Sequence, residues 1–297
     1  MEQLAYKMNC EVKFYAQTNG TLLNEEWFKI IDKYDIKIGI SYDWTSQFVR
    51  GYELDKNILN KTPGSICVIN KYNIKDLIKI YQKSIKEDVG ISFNFVFPDK
   101  NHSLEEYINT QEAIYEYKKY LDYFLFNPAA TKTERSAEAY VIRALGKSSL
   151  VCNLSNCFTQ NRIGLNSDGT LWMCDDTNYL DMYICTIQDF TSSQEFKQHP
   201  RYKRLALMKD AQYASCGDCL FDKVCGRGCF HCSYTESNAT KPYSFNCNFV
   251  KAIYPYIYQK IGNLTPNEFV KISPILKTIL MKNFYYPAYL KEVNLYD

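Results

Sequence analysis

The chain has 297 residues, more than one compact domain usually needs, so a barrel-sized unit with an appendage, or two modest domains, is expected. With 46% apolar and 23% charged residues and no low-complexity tract, it reads as a soluble globular protein, and long intrinsic disorder is excluded. A net charge of +2 with no run of Lys and Arg excludes an electrostatic footprint for nucleic acid or for an anionic membrane surface.

The first residues, MEQLAYKMNCEVKFYAQ, form neither a basic-then-apolar signal nor a long apolar span, so the expected location is a reducing cytoplasm. MEQLAYK reads as the tail of a helix, with Leu4 and Met8 four apart and no cap before them. Val12 to Tyr15 read as a strand leading into Thr18-Asn19-Gly20. NEEWFKIIDKY then predicts a helix with Asn24 as N-cap and Trp27, Ile30, Ile31 and Tyr34 on one face. A second strand, IKIGISYD, precedes an irregular stretch through Pro63-Gly64, and SICVIN reads as a third, buried strand. NIKDLIKIYQKSIKEDV places Leu77, Ile80, Tyr81 and Ile85 at helical spacing, and ISFNFVF is a fourth strand. Strands alternating with amphipathic helices argue for βαβ units around a parallel sheet, with functional groups at the carboxyl ends of the strands. Two further helices are expected over LEEYINTQEAIYEYKKYLDYF and TERSAEAYVIRALGK, the second stopped by Gly146.

Past residue 150 the texture changes. IGLNSDGTLWM alternates apolar and polar on both sides of Asp168-Gly169 and predicts a hairpin, with Cys157 before its first strand and Cys174 after its second. A long, glycine-punctuated, cysteine-rich loop is expected from there to Cys247, followed by helices around VKAIYPYIYQKI and TPNEFVKISPILKTILMK. The abundant tyrosines, in runs such as YLDYF and FYYPAYL, suit aromatic packing on helices better than a peptide-stacking groove.

Ten of the twelve cysteines lie between Cys152 and Cys247, a concentration that in a reducing compartment indicates metal binding over disulfides. Cys10 and Cys67 fall outside, in apolar stretches, as small core residues. From Cys216 the spacing is Cys-x2-Cys-x5-Cys-x3-Cys, with Cys247 eighteen residues after Cys229, and Cys157 is followed by Gly169, four residues and Cys174. Two zinc ions are the plainer alternative for so many thiols. With only His102, His199 and His231 present, mixed Cys/His sites are poorly supported, and each histidine reads as a surface or packing residue.

This cysteine pattern resembles the SPASM domain that radical S-adenosylmethionine (SAM) enzymes of peptide and protein modification carry at their carboxyl end. The resemblance implies two auxiliary [4Fe–4S] clusters with interleaved ligands: Cys157, Cys174 and Cys229, with Cys152 as the fourth, for one, and Cys216, Cys219, Cys225 and Cys247 for the other. Gly226 and Gly228 would let the backbone between Cys225 and Cys229 take unusual dihedrals beside the clusters. The segment CGRGCFHC, residues 225 to 232, also has the Cys-x3-Cys-x2-Cys spacing of a SAM-cleaving triad. It lies far downstream of where that triad stands in the family, and no Gly-Gly-Glu-Pro stretch follows. The spacing therefore reads as coincidence, with Cys232 a bystander.

Upstream, YAQTNGTLLNEEWFKIIDKYDIKIGISYD resembles a barrel segment of anaerobic sulfatase maturases and related enzymes, so residues 10 to 250 fall within the likeness. The implied fold is α/β: residues 1–150 as the last four strands of a partial (β/α)6 barrel, 151–250 as the SPASM domain with its hairpin, and 251–297 as carboxyl-terminal helices. The two strands that would carry the SAM-cleaving triad are missing from the register. A chain starting inside a longer protein is therefore expected, or one working with a partner that supplies those strands at an exposed sheet edge. By the same resemblance Asn19, Ser41, Asp43 and Arg50 would contact SAM or substrate, and Asp175 would take a proton from the substrate. Read locally, Asn19-Gly20 is a turn, Ser41 a satisfied strand hydroxyl and Asp175 or Asp176 an Asx-turn cap. Trp44 stands where the family has glycine. The resulting expectation is the iron–sulfur portion of a radical SAM oxidoreductase acting on a peptide or protein, with SAM as the full-length cofactor. The alternative is a non-catalytic metal-binding module for peptide recognition or docking.

Overall fold

A computed structural model describes residues 13–44, 58, 61–62, 64–96, 107–147, 163–174 and 182–283. They fall into two compact units, one drawn from residues 1–96, 116–138 and 265–297, the other from 97–115 and 139–264.

The first unit is built on a four-stranded parallel sheet in the order β1 (Tyr15–Thr18), β2 (Lys37–Ser41), β3 (Gly64–Ile69) and β4 (Gly90–Phe95). All four anticipated strands are present, the first over Tyr15–Thr18 where the sequence placed it over Val12 to Tyr15. Sequential order with every neighbour parallel requires a crossover between each pair, which is the winding of a β/α barrel wall. The first crossover is α1 (Glu25–Lys33), where the Asn24 side chain accepts from the backbone N–H of Glu26 and Trp27, as expected of its cap. Its buried residue is Phe28, and the expected apolar face is largely open: Trp27, Ile30 and Tyr34 are 50%, 42% and 44% exposed. The cause lies in β1, which has a strand neighbour on one side only among the described residues, so little sheet extends beneath that face.

A 3-10 turn over Ile74–Asp76 leads into α2 (Leu77–Lys86), which buries Leu77, Ile80 and Tyr81 at the spacing the sequence indicated. Residues 116–126 of α3 (Thr110–Phe126) and 135–138 of α4 (Arg135–Ala144) also belong to this unit, the rest of each helix to the second. The chain leaves α4 at Gly146 with φ of +87°. Tyrosines are core material: Tyr81 and Tyr120 meet edge to face at 5.6 Å, and Phe93 meets Tyr120 at 5.1 Å. Cys67 is fully buried on β3, as expected.

The second unit contains an antiparallel sheet of β5 (Gly164–Leu165), β6 (Thr170–Trp172) and β7 (Tyr183–Thr186). Asp168 and Gly169 make the predicted hairpin turn: Gly169 has φ of +83° and the Asp168 carboxylate accepts from the Thr170 N–H and hydroxyl. The loop expected up to Cys247 is instead substantially ordered. It contains β7, α5 (Ser193–Gln198), α6 (Pro200–Ala214), α7 (Asp222–Cys225) and α8 (Phe230–Ser237). The sequence concealed α6 because its buried face includes Lys209 and Gln212 beside Leu205, so no apolar stripe marks it. Leu171, Met182, Ile184, Phe196, Leu205 and Phe230 form the core beneath this sheet. The helix α9 (Ser244–Ile261) buries Phe249 and Tyr254 against Tyr140. The chain then returns to the first unit through α10 (Pro266–Phe269) and α11 (Pro274–Asn283). Ser273 anchors that return, its N–H donating to the Leu125 carbonyl (2.8 Å) and its hydroxyl to that of Phe124 (2.7 Å).

Among the described residues no helix is long and apolar enough to cross a membrane.

Candidate metal centre

Four of the predicted thiols converge on one cavity. Cys216 follows the end of α6, Cys219 lies in the turn after it, Cys225 ends α7, and Cys247 sits in the first turn of α9; all four line the cavity with Asp222, Arg227, Gly228 and Tyr243. Successive turns deliver the first three, the Cys219 N–H donating to the Cys216 carbonyl at 3.0 Å and the Cys225 N–H to that of Phe221 at 2.7 Å. Two long-range bonds hold the end of α7: Arg143 and the Tyr254 hydroxyl both donate to the Val224 carbonyl, at 2.8 and 3.2 Å.

Between Cys225 and Cys229 three consecutive residues are left-handed, with φ of 72° at Gly226, 64° at Arg227 and 75° at Gly228. Two glycines make that run affordable, and the open space where a Gly228 Cβ would stand leaves the cavity wall without a side chain. Arg227, the exception, is held by a two-point ion pair with Asp222, by the Tyr213 ring 4.8 Å from its guanidinium, and through its carbonyl by Gln212.

Burial acts on two of these thiols. Burial pushes the Cys225 thiol up to about 11, against a stabilising bond from the Arg227 N–H. Burial raises Cys216 as well, opposed by the Arg227 guanidinium. No disulfide joins any of the nine described cysteines. Four sulfurs around one cavity, with little competing oxygen or nitrogen, match the donor set of a thiolate-bound iron–sulfur cluster.

Of the other expected ligands, Cys174 follows β6 and Cys229 precedes α8, whereas Cys152 and Cys157 lie outside the described residues, as do Arg50 and Asp175. Next to Cys229 the structure holds two donors that sequence reasoning set aside. The Cys229 and Cys232 sulfurs and a His231 ring nitrogen all lie within 4.8 Å of one another, with His231 and Cys232 each only 4% exposed. The Cys-x-His-Cys order at a helix start is the signal the sequence carries for this grouping, outweighed there by the scarcity of histidine.

In the sheet unit, Asn19, Ser41 and Asp43 stand at the carboxyl ends of neighbouring parallel strands β1 and β2. Asn19 caps its own turn, accepting from the Thr21 N–H and hydroxyl, while Ser41 accepts from the Gln17 amide at 3.2 Å. Trp44 is buried at φ of 58°, with its indole N–H on the Ser65 hydroxyl at 3.0 Å and its ring edge to face with Tyr42. A left-handed backbone at this position gives glycine a physical rationale there and shows what a tryptophan must overcome.

No protein-family profile matches the chain. A cysteine-type anaerobic sulfatase-maturating enzyme of Clostridium perfringens is 22% identical over 284 residues, covering 87% of this chain and 75% of its own. One from Clostridium novyi is 25% identical over 248 residues, covering 74% and 64%. Among solved structures, native anSMEcpe with bound AdoMet and Cp18Cys peptide superposes with a TM-score of 0.73 at 19% identity, over 90% of this chain and 80% of that one. Its AdoMet-bound form without that peptide gives 0.70. The chain thus has the radical SAM/SPASM fold, and its relatives are anaerobic sulfatase-maturating enzymes.

Proposed function

We propose that this chain is the iron–sulfur-binding portion of a radical SAM/SPASM oxidoreductase that modifies a peptide or protein. The single observation that carries this reading is the convergence of Cys216, Cys219, Cys225 and Cys247 on one cavity. These four would hold one [4Fe–4S] cluster, and Cys174 and Cys229, with Cys157 and Cys152, a second; such clusters supply one-electron transfer. In support of a peptide substrate, the matched anSMEcpe structures include complexes with peptides. Asn19, Ser41, Asp43 and Arg50 would orient SAM or substrate, and Asp175 would accept the substrate proton.

The chain as it stands does not cleave SAM by itself on this reading. Its Cys-x3-Cys-x2-Cys string begins with Cys225, a thiol already committed to the four-cysteine cavity. The open apolar flank of Tyr15, Leu22, Trp27, Ile30 and Tyr34 on and around β1 and α1 is where further strands, from a longer polypeptide or a second chain, would pack.

Anaerobic reconstitution with iron and sulfide tests the proposal. The expected outcome is about eight irons per chain, falling by about half in Cys216→Ser or Cys247→Ser, with no deoxyadenosine released from SAM. Uptake of zinc with no iron would overturn the cluster assignment, and SAM turnover would overturn the division of labour.

A further inference from the structure

We propose that Arg227 is a positioning residue whose fixed positive charge raises the reduction potential of the cluster bound by Cys216, Cys219, Cys225 and Cys247. The inference rests on the proposed function and deepens it, giving this chain control over how readily that cluster accepts an electron. Among the described residues Arg227 is the only basic one lining the four-cysteine cavity. It meets two of the ligands in different ways: its backbone N–H bonds the Cys225 sulfur, and its guanidinium acts electrostatically on Cys216. Asp222, its ion-pair partner, acts on Cys216 with the opposite sign and more weakly, so the pair presents a net positive field to that ligand. A guanidinium keeps its charge at every working pH.

The local backbone gives a second reason to single out this side chain. With φ of 64°, Arg227 is the one side-chain-bearing member of a left-handed run that otherwise consists of glycine. Such strain persists only where the surroundings over-determine it, and it clusters at functional positions. Two elements supply those surroundings. At the start of α7, Asp222 takes the guanidinium in a two-point fork, with Nη2 to Oδ2 at 2.8 Å and Nε on the other oxygen. From α6, the Tyr213 ring lies 4.8 Å from the guanidinium, and the Gln212 side-chain amide donates to the Arg227 carbonyl at 3.2 Å. Buried Lys209 stands 5.4 Å from the same Tyr213 ring. The polar buried face of α6, a poor core by itself, thus fixes one arginine through both its backbone and its side chain.

An electron added to a [4Fe–4S] core held by four thiolates makes an already anionic assembly more negative by one charge. A nearby cation therefore stabilises the reduced form more than the oxidised one, and a hydrogen bond to a ligand sulfur acts in the same direction. The Arg227 side chain is 36% exposed and paired with Asp222, so water and carboxylate offset part of its charge. The expected effect is about tenfold in the reduction equilibrium, which is about 59 mV for a one-electron couple.

The test is a potentiometric titration with dithionite, followed by EPR, of the anaerobically reconstituted full chain and two variants. Arg227→Gln should keep wild-type iron and move one of the two cluster signals to lower potential, by about tenfold in its equilibrium, leaving the other in place. Arg227→Lys retains the charge and should recover more than half of that shift. In a wild-type chain with isotopically labelled arginine nitrogen, pulsed EPR of the reduced protein should show a coupling to the label that Arg227→Gln lacks. Unmoved potentials in Arg227→Gln, equal shifts of both signals, or a potential in Arg227→Lys as low as in Arg227→Gln each overturn the inference. Absence of the arginine coupling in wild type overturns it without any variant, should one fail to assemble. Absent iron in wild type would take down the proposed function and this inference with it, whereas full iron with an unmoved potential strikes this inference alone.

Discussion

Trp44 shows how a single residue can be legible as an exception before its reason is visible. Its place in a glycine position was apparent from the sequence, but the left-handed φ of 58° and the indole bond to Ser65 were not, since backbone conformation leaves no trace in composition. Trp44→Gly would relieve backbone strain of about 1 kcal/mol but forfeit a buried aromatic worth about 3–5 kcal/mol, so a net loss of about 2–4 kcal/mol is expected in denaturant unfolding. Glu134 was not legible at all. Its buried carboxylate accepts from the N–H groups of Phe93, Ser136 and Ala137 at 2.7–2.9 Å and faces the Tyr117 hydroxyl, tying β4 and α3 to the start of α4. Burial outweighs those donors and pushes this acid up to about 7 from 4.5. The folded state therefore holds the proton more tightly than the unfolded one, so the Glu134 contribution is greatest below about pH 4.5 and falls as pH rises to about 7. Comparing Glu134→Gln with wild type by urea unfolding at pH 5 and pH 7.5 should show the wild type's relative stability dropping at the higher pH. A flat difference would contradict this account.

Among the elements, the four strands and α1 to α4 were readable because each carries its own period and punctuation. Asn24 and Gly146 mark ends, and Leu77, Ile80 and Tyr81 mark a face. Of the elements that escaped, β7 and α6 owe their existence to the core they complete rather than to local pattern; Met182 and Ile184 find partners only once Leu171 and Phe196 are in place. The left-handed run from Gly226 to Gly228 was foreseeable in its glycines and unforeseeable at Arg227, whose ion pair with Asp222 is a tertiary matter. Because a Gly228 Cβ would meet nothing within 4 Å, Gly228→Ala isolates the backbone penalty. A loss of about 1 kcal/mol is expected in thermal melts, and a much larger one would mean that the cavity wall closes more tightly than described.

At the level of the whole molecule, the sequence indicated a wound parallel sheet followed by a cysteine-rich region, and both are present. The register implied an exposed sheet edge; it could not show that Trp27, Ile30 and Tyr34 of α1 stand about half open beside it, because exposure depends on what lies next to an edge strand. If that flank is a docking surface, Trp27→Lys with Ile30→Lys should reduce self-association in sedimentation velocity and leave the melting temperature within a degree or two, both side chains being about half exposed. A wild-type chain sedimenting as a monomer would show that this flank does not pair with a second copy of itself.

The bond from the Ser273 hydroxyl to the Phe124 carbonyl spans 149 residues of sequence, and the cysteine-rich unit lies within that span. During synthesis the sheet unit thus waits for the whole cysteine-rich unit to leave the ribosome before α11 can seat. A product cut short before residue 265 would keep all seven described strands yet leave the end of α3 without its closing contacts, a natural target for chaperones and proteases.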